Sequence, residues 1–316
     1  MMKKINDIIG DAKTIGIAGH VRPDGDCMGS CMSLYNYLKK NRPDLDVRVF
    51  LEFVDKKFNI IENTDKIITT GYDGTKFDLF ISLDTASLDR LGLNLPFYEN
   101  AKRTACIDHH ASNDGYADYN YILPKASSAS EVLYDLLDED LIDKSIAEPM
   151  YMGIAHDSGV FRFQSTTPKT MRIAANMIEK GVNVNMILEE TFFRKTYNQM
   201  MVTAKIQSEA VLALDGKCIY GYCTSEMMEE YGVTTKDLDA VVASIRNVDG
   251  VEVAMFLYQL SEDSYKVSLR SKNYVDVSKI AVENGGGGHV RAAGAEIHGE
   301  LNDIINKLLN RIKQDI

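Results

Sequence analysis

The sequence predicts an α/β protein with two domains, and three observations support this fold class. Apolar runs typical of buried strands alternate with helical patterns from the N-terminus onward. Residues 191–214 contain no proline or glycine and separate this half from the rest. A second series of strands and helices begins at residue 217. With 316 residues and 45% hydrophobic content, the chain is long enough to bury more than one core.

The first half has the pattern of a mainly parallel sheet flanked by helices. Strands are predicted at 14–19, 46–51, 78–83 and 103–107, and helices at 29–40, 129–138 and 143–155. Thr167-Pro168 predicts the start of another helix, because threonine caps helices well and proline fits the first turn. Gly181 predicts its end. Residues 1–190 are therefore predicted to form one domain.

Residues 191–214 are predicted to form a linker helix, and residues 215–316 a smaller α/β domain. Its predicted elements are strands at 217–223, 251–259 and 264–270, helices at 235–246 and 275–283, and a terminal helix from residue 301. The run Gly285 to Gly288, followed by His289, interrupts this series. It is predicted to be a loop, with a flexible linker as the alternative.

Composition excludes several classes of protein. The net charge of -11 argues against a surface that grips long nucleic acid, although a short nucleotide escapes this objection. No segment reaches the roughly 18 to 20 apolar residues of a membrane span, and charged residues near the N-terminus argue against a signal peptide. The five cysteines lie mostly in apolar surroundings and are interpreted as reduced packing residues. The cytoplasm is the expected location.

Acids and histidines recur in four clusters of the first half, and the first three clusters each follow a predicted strand. They are His20, Asp24, Asp26, Asp84, Asp108, His109, His110 and Asp157. The carboxyl ends of parallel strands meet at one edge of a sheet, so these side chains are expected to converge. Oxygen and imidazole donors favour Mn²⁺, with Mg²⁺ or Co²⁺ as alternatives. Two such ions about 3.5 to 4 Å apart assist in-line phosphoryl displacement. The pattern therefore predicts hydrolysis of a phosphate ester.

Each motif also has a simpler interpretation. The sequence Asp24-Gly25-Asp26 is common in solvated turns, and Asp84 or Asp157 alone is more typical of a helix cap. Two adjacent histidines behind an acid at a strand end have few uses in packing. The joint occurrence of all the motifs favours the metal site.

Five segments together resemble the DHH-DHHA1 phosphoesterase family: GHVRPDGDCMGS, LDTAS, IDHH, AHDSGVFRF and GGGGHVRAAG. The resemblance spans almost the whole chain. The short linker between the two predicted domains resembles that of the branch that contains nanoRNases and pAp phosphatases. The resemblance implies that His20, Asp24 and Asp84 hold one metal ion. It implies that Asp26, Asp84, His109 and Asp157 hold the second, with Asp84 as the bridge.

The resemblance also implies roles for the remaining motif residues. His110 is expected to contact the substrate phosphate or to deliver a proton to the leaving oxygen, and Asp108 to orient a histidine. Backbone N–H groups of a glycine run can approach a phosphate closely. The family pattern assigns nucleotide binding to Gly286, Gly287, Gly288 and His289, together with Arg270. Without that pattern, Arg270 would be interpreted as a surface arginine of a strand.

The function implied is metal-dependent hydrolysis of very short RNA (nanoRNA) to mononucleotides, with removal of the 3'-phosphate of adenosine 3',5'-bisphosphate (pAp). The alternative enzyme is a phosphodiesterase of linear or cyclic di-adenylate. The alternative from another class is a nucleotide sensor without catalysis, which would not need six metal ligands. The expected partners are short RNA, pAp or other small nucleotides, and the resemblance implies a homodimer.

Overall fold

A computed structural model describes residues 4–238 and 241–316 of the chain. It contains two compact units that divide between Arg194 and Lys195. Within the described residues, no helix is both long and apolar enough to cross a membrane.

The N-terminal unit is built on a five-stranded, fully parallel sheet in the order β2-β1-β3-β4-β5. Its strands are β1 (Thr14–Ala18), β2 (Asp46–Phe50), β3 (Leu79–Leu83), β4 (Thr104–Asp108) and β5 (Tyr119–Ile122). The first four were predicted within two residues at each end. The fifth was not, because this edge strand is only partly buried and lacks an apolar run. The predicted α/β fold with a mainly parallel sheet is confirmed.

Helices cover both faces of this sheet, as a parallel sheet requires. They are α1 (Ile5–Ile9), α2 (Gly25–Asn41), α3 (Leu95–Glu99), α4 (Ala129–Leu136), α5 (Lys144–Asp157), α6 (Pro168–Glu179) and α7 (Val184–Leu188). Helices α2 and α5 pack closely, since a Cβ on Gly29 would lie 2.5 Å from the carbonyl oxygen of Pro149. Helix α2 begins four residues earlier than predicted because Asp24 caps it.

The C-terminal unit contains a six-stranded mixed sheet in the order β10-β11-β9-β8-β7-β6. Its strands are β6 (Val211–Ala213), β7 (Cys218–Cys223), β8 (Val253–Ser261), β9 (Ser264–Ser271), β10 (Gly287–His289) and β11 (Ala292–His298). Its helices are α8 (Tyr197–Ser208), α9 (Ser225–Tyr231), α10 (Val241–Ile245), α11 (Val277–Val282) and α12 (Leu301–Ile312). One apolar cluster lies on each face of this sheet.

Three predicted elements of the second half differ in the structure. The predicted helix 191–214 is divided into a π-helical turn (Glu189–Phe193), helix α8 and strand β6. Thr196 and Gln199 form a capping box that starts a new helix, which explains the break. The predicted helix 235–246 contains a 3₁₀ turn (Thr235–Asp237) and the short α10, and residues 239 and 240 lie outside the described chain. The glycine run was predicted as a loop, but its last part is strand β10.

Candidate metal centre and nucleotide-binding strands

Three of the predicted metal ligands, His20, Asp84 and His109, lie at the carboxyl ends of three neighbouring strands. His20 follows β1, Asp84 follows β3, and Asp108 ends β4 directly before His109 and His110. Strand β3 lies between β1 and β4 in the sheet. The parallel arrangement therefore brings side chains together that are more than 80 residues apart in the sequence.

Asp84 lies at the centre of this group. It is only 3% exposed. Its Oδ2 is 3.4 Å from Nε2 of His20, and its Oδ1 is 3.5 Å from Nε2 of His109 and 3.7 Å from Nδ1 of His110. Among the described atoms, Oδ1 is buried without a hydrogen-bond partner. Asp84 also has a positive φ of 51°, a conformation that non-glycine residues adopt mainly at constrained sites.

The two histidines beside Asp84 present their Nε2 atoms to carboxylates. The Nδ1 of His20 lies 2.7 Å from the carbonyl oxygen of Val21, which can only accept, so Nδ1 carries a proton and Nε2 is the atom that would bind a metal. The Nε2 of His109 lies 3.2 Å from Oδ2 of Asp157. Both imidazoles are therefore oriented as metal-binding histidines are.

The DGD motif contributes two carboxylates that are held in different ways. Oδ1 of Asp24 accepts the backbone N–H groups of Asp26 and Cys27, so Asp24 caps helix α2, a role that was not predicted for it. This oxygen still lies 3.8 Å from Nε2 of His20. The carboxylate of Asp26 accepts N–H groups from Ala129 at 2.6 Å and Ser130 at 3.0 Å. The N-terminus of α4 thus fixes Asp26 toward the site.

Asp157 is the last residue of α5, and Asp84 precedes a turn whose N-cap is Ser87. Neither carboxylate caps a helix, so the simpler interpretation of these two residues was wrong. Residues that could hold a metal form three groups among the described residues. They are Asp84 with Asp108, His109 and His110; His20 with Cys27 and Asp84; and Asp26 with His109 and Asp157.

His110 and Asp108 form a chain with an asparagine that the sequence did not reveal. Nδ1 of His110 lies 2.8 Å from Oδ1 of Asp108, and Nδ2 of Asn113 donates to Oδ2 of the same carboxylate at 2.7 Å. Asp108 is completely buried. The imidazole of His110 is therefore held in one orientation by the buried carboxylate of Asp108.

A second residue missed from the sequence is His156. Its Nε2 lies 2.8 Å from Oγ1 of Thr191, whose hydroxyl donates to the carbonyl of Ile187. The ring packs against Gly25, where a Cβ would lie 2.1 Å from the ring Cγ. Burial lowers the pKa of His156 to about 4, so it is neutral. The position of the DGD turn thus depends on this ring. In the sequence, the only sign that His156 belongs to the site is its position directly before Asp157.

The electrostatics of the site are those of crowded carboxylates without a compensating cation. Burial, followed by the charge of Asp84, raises the pKa of Asp26 to about 7. Burial raises the pKa of Asp157 as well. Burial opposes protonation of His109, but Asp84 and then Asp157 and Asp26 outweigh it and raise its pKa to about 10. In the absence of metal, protons therefore neutralise part of this charge.

These residues fit divalent metal ions. Two donor atoms that each lie about 2.1 Å from one ion, at angles of about 90 to 110°, are about 3.0 to 3.4 Å apart. The separations between Asp84 and His20, and between His109 and Asp157, are 3.4 and 3.2 Å. The unpartnered Oδ1 of Asp84 also requires a cation or donor. Cys27 is a neighbour, but burial raises the pKa of its thiol far above neutrality.

The predicted nucleotide-binding residues lie on adjacent strands of the C-terminal unit. Arg270 of β9 is paired with Ala292 of β11, and Ala292 is paired with His289 of β10. Residues directly opposite each other in a sheet project from the same face. Arg270 and His289 therefore share one face, with the small Ala292 between them.

The glycines are required by close packing as well as by any ligand. A Cβ on Gly286 would lie 2.1 Å from the carbonyl oxygen of Gly294, and one on Gly288 would lie 2.5 Å from that of Ala292. The N–H of Gly286 donates to Ala281 at 2.8 Å, so this amide is already occupied. Gly287 has open space around it. Several amides of the run were expected to point at one phosphate. Because the amide of Gly286 is occupied, only the amides after Gly286 remain candidates.

Comparisons with known proteins agree with this architecture. Residues 14–154 match the DHH family, N-terminal domain, and residues 215–315 match the DHHA1 domain. A Thermus thermophilus protein named bifunctional oligoribonuclease and PAP phosphatase NrnA is 31% identical over 313 residues, which covers 96% of this chain and 90% of the relative. A Bacillus subtilis protein with the same name is 28% identical over 290 residues, with 90% of each chain covered.

A solved structure shows the same fold over nearly the whole length. This exopolyphosphatase-related protein from Bacteroides fragilis has a TM-score of 0.89 at 23% identity, and the similarity covers 98% of this chain and 95% of the other. Together, the matched domains and the similarity to the Thermus protein identify the family. The chain belongs to the DHH family of phosphoesterases and carries a C-terminal DHHA1 domain.

Proposed function

We propose that this chain is a metal-dependent phosphoesterase that hydrolyses very short RNA to mononucleotides and removes the 3'-phosphate of pAp. The observation that carries the proposal is Asp84, a buried carboxylate whose two oxygens face three imidazoles without a hydrogen-bond partner on Oδ1. The names of the Thermus and Bacillus relatives support both substrate classes.

Two divalent ions are proposed to occupy the site, with Mn²⁺ preferred over Mg²⁺ or Co²⁺. The ligands of one are His20, Asp24 and Asp84, and the ligands of the other are Asp26, Asp84, His109 and Asp157. When bound, the ions lower the pKa of water and stabilise charge on the phosphoryl oxygens. The donor set of oxygens and imidazole nitrogens supports this choice, because the thiol of Cys27 remains protonated.

His110 is proposed to act on the substrate through Nε2. Asp108 accepts from Nδ1, so the ring is held with Nε2 available to contact a phosphate oxygen or to deliver a proton to the leaving oxygen. Asn113 in turn holds the Asp108 carboxylate by donating to its second oxygen. This arrangement supports the expectation that Asp108 orients a histidine.

Arg270, His289, Gly287 and Gly288 are proposed to bind the nucleotide phosphate, while Gly286 acts mainly by allowing close packing. The shared face of Arg270 and His289 supports this role. Ala292 leaves space between them, and a larger side chain there would fill it. The net charge of -11 favours short substrates over long nucleic acid.

Rates measured side by side on dinucleotide RNA, pAp, linear di-adenylate and cyclic di-adenylate test the proposal. The protein is assayed with Mn²⁺ and with EDTA. We expect dinucleotide RNA and pAp to be hydrolysed in the presence of Mn²⁺ and not in the presence of EDTA. A preference for either di-adenylate would favour the alternative enzyme. Binding of nucleotide without hydrolysis of any substrate would favour the sensor and refute the proposal.

Two further properties stay predictions from the sequence and the family resemblance. They are a location in the cytoplasm and assembly as a homodimer. Light scattering of the purified protein measures the second directly.

A further inference from the structure

Glu252 is a buried acid beside the first residue of β8. It is 3% exposed, and its carboxylate accepts from the backbone of one short segment. Oε1 accepts N–H groups from Asn273 at 3.0 Å, Tyr274 at 2.7 Å and Val275 at 3.0 Å. Oε2 accepts from the side-chain amide of Asn273 at 3.1 Å. Although burial opposes ionisation, these backbone N–H groups lower the pKa of Glu252, so the carboxylate is charged.

The same segment is also held through its carbonyl oxygens. The guanidinium of Arg291 donates to the carbonyl of Val275 at 2.7 Å and to that of Asn273. The hydroxyl of Ser271 donates to the carbonyl of Val275 at 2.6 Å. Glu252 therefore satisfies the three backbone donors of the segment, and Arg291 and Ser271 donate to two of its three carbonyl oxygens. A loop with these contacts is fixed rather than mobile.

The fixed segment is connected to both residues that are proposed to bind the phosphate. It begins three residues after Arg270. Its other partner, Arg291, lies two residues after His289, at the tip of the β10-β11 hairpin. The N–H of Ser271 donates to the carbonyl of Arg291 at 3.1 Å, which joins the hairpin tip to the end of β9.

The pairing of β9, β11 and β10 aligns Arg270 with His289, and the contacts of this segment hold the hairpin at the end where both residues lie. Both are aligned with Ala292 on the intervening strand. Neighbouring strands lie about 4.8 Å apart, so the two backbones are separated by about 10 Å. A phosphate over Ala292 is reached by both side chains only while the hairpin stays in register with β9.

We propose that Glu252 is a positioning residue for nucleotide binding. By holding the segment Asn273 to Val275, it fixes the spacing at which Arg270 and His289 grip a terminal phosphate. The ligand class is a mononucleotide or the terminal nucleotide of a short oligonucleotide. The inference rests on the proposed role of Arg270 and His289 in phosphate binding.

The test compares Glu252→Gln with Arg270→Ala and with the control Glu296→Gln. Glu296 is an exposed acid on β11, so its substitution removes the same charge from the same sheet without touching the segment. For each variant, the dissociation constant of AMP and of adenosine is measured by calorimetry with Mn²⁺, and KM and kcat are measured on dinucleotide RNA. Melting curves report whether each variant is folded.

Glu252→Gln is expected to raise the dissociation constant of AMP at least tenfold and to change that of adenosine by no more than about twofold. On dinucleotide RNA, KM is expected to rise while kcat changes little. A purely structural role would lower the fraction of active protein and kcat instead. If Arg270→Ala weakens the binding of AMP but Glu252→Gln does not, the inference is wrong and the proposed phosphate site stands. If Arg270→Ala also has no effect, the phosphate site itself is wrong.

Arg291→Met gives a second test if Glu252→Gln does not fold. It removes the contacts to the carbonyl groups of Asn273 and Val275 from the opposite side of the segment. The same loss of AMP affinity with unchanged adenosine affinity is expected. Unchanged AMP affinity in a folded Arg291→Met protein would overturn the inference.

Discussion

Replacing Asp84 by asparagine tests the candidate metal centre most directly. Asparagine preserves the volume of the side chain, and it tolerates the positive φ of 51° better than alanine does. Since Oδ1 of Asp84 has no hydrogen-bond partner among the described residues, the change breaks no hydrogen bond at that atom. What it removes is one negative charge and one metal-binding oxygen from a position shared by both proposed ions.

The expected size of the effect can be worked out from ligand binding. Removing residues that only orient metal ligands typically costs 10- to 100-fold in affinity, so loss of a direct ligand is expected to cost about 100-fold or more. At 100 times the dissociation constant, a metal stabilises the folded protein by about 2.7 kcal/mol. If the site binds metal 100-fold more weakly, the same metal concentration stabilises the folded protein by only about 0.4 kcal/mol. At about 2 to 4 °C per kcal/mol, the stabilising shift in Tm falls from about 5 to 11 °C to about 1 °C.

Thermal unfolding with and without Mn²⁺ measures this shift, and hydrolysis of dinucleotide RNA measures activity. Activity of Asp84→Asn is expected to fall at least about 1000-fold, equivalent to about 4 kcal/mol of activation free energy. Asp114→Asn is the matched control, because Asp114 is an exposed acid on the loop after His110. An Asp84→Asn protein with a full Mn²⁺ shift and at least a tenth of the activity would refute the bridging role.

Three further predictions concern the surroundings of the site. The pKa of His109 is raised from 6.5 to about 10 without metal, so the stability it contributes is complete below pH 6.5 and is lost as the pH rises through about 10. The Tm of EDTA-treated protein is therefore expected to fall between pH 6.5 and 9, and less so with saturating Mn²⁺. Gly25→Ala places a Cβ 2.1 Å from Cγ of His156, so activity should fall at least tenfold, with partial recovery when His156→Ala is added. Asn113→Leu leaves the buried Asp108 without one donor, which should cost about 1.5 to 3 kcal/mol of unfolding free energy and at least tenfold in activity.

Each of these predictions has a clear contrary result. A metal-free Tm that stays constant or rises from pH 6.5 to 9 would contradict the raised pKa of His109. An active Gly25→Ala protein would show that the ring of His156 moves without cost to the DGD turn. An Asn113→Leu protein with normal stability and activity would remove Asn113 from the chain that orients His110.

Local patterns in the sequence were sufficient for much of the fold. A strand buried on both faces is a continuous apolar run, so β1, β3 and β4 could be recognised without any partner. The edge strand β2 was also predicted, and it retains three buried apolar residues, Val47, Val49 and Phe50. Strand β5 and the β10-β11 hairpin could not be recognised, because β5 has no fully buried residue and a glycine segment has no apolar pattern. Their conformation is decided by the neighbouring strand, which is distant in sequence.

The sequence by itself determined the α/β class and the set of acids and histidines that could bind metal. Only the tertiary structure decided how these groups are held. The carboxylate of Asp26 accepts a hydrogen bond from the start of α4, more than 100 residues away. The ring of His156 packs on Gly25 where α2 and α5 are in contact. Glu252 likewise reaches a segment 21 to 23 residues further along the chain. Hydrogen bonds and close packing form between surfaces that meet only after folding, and for this reason no local pattern predicts them.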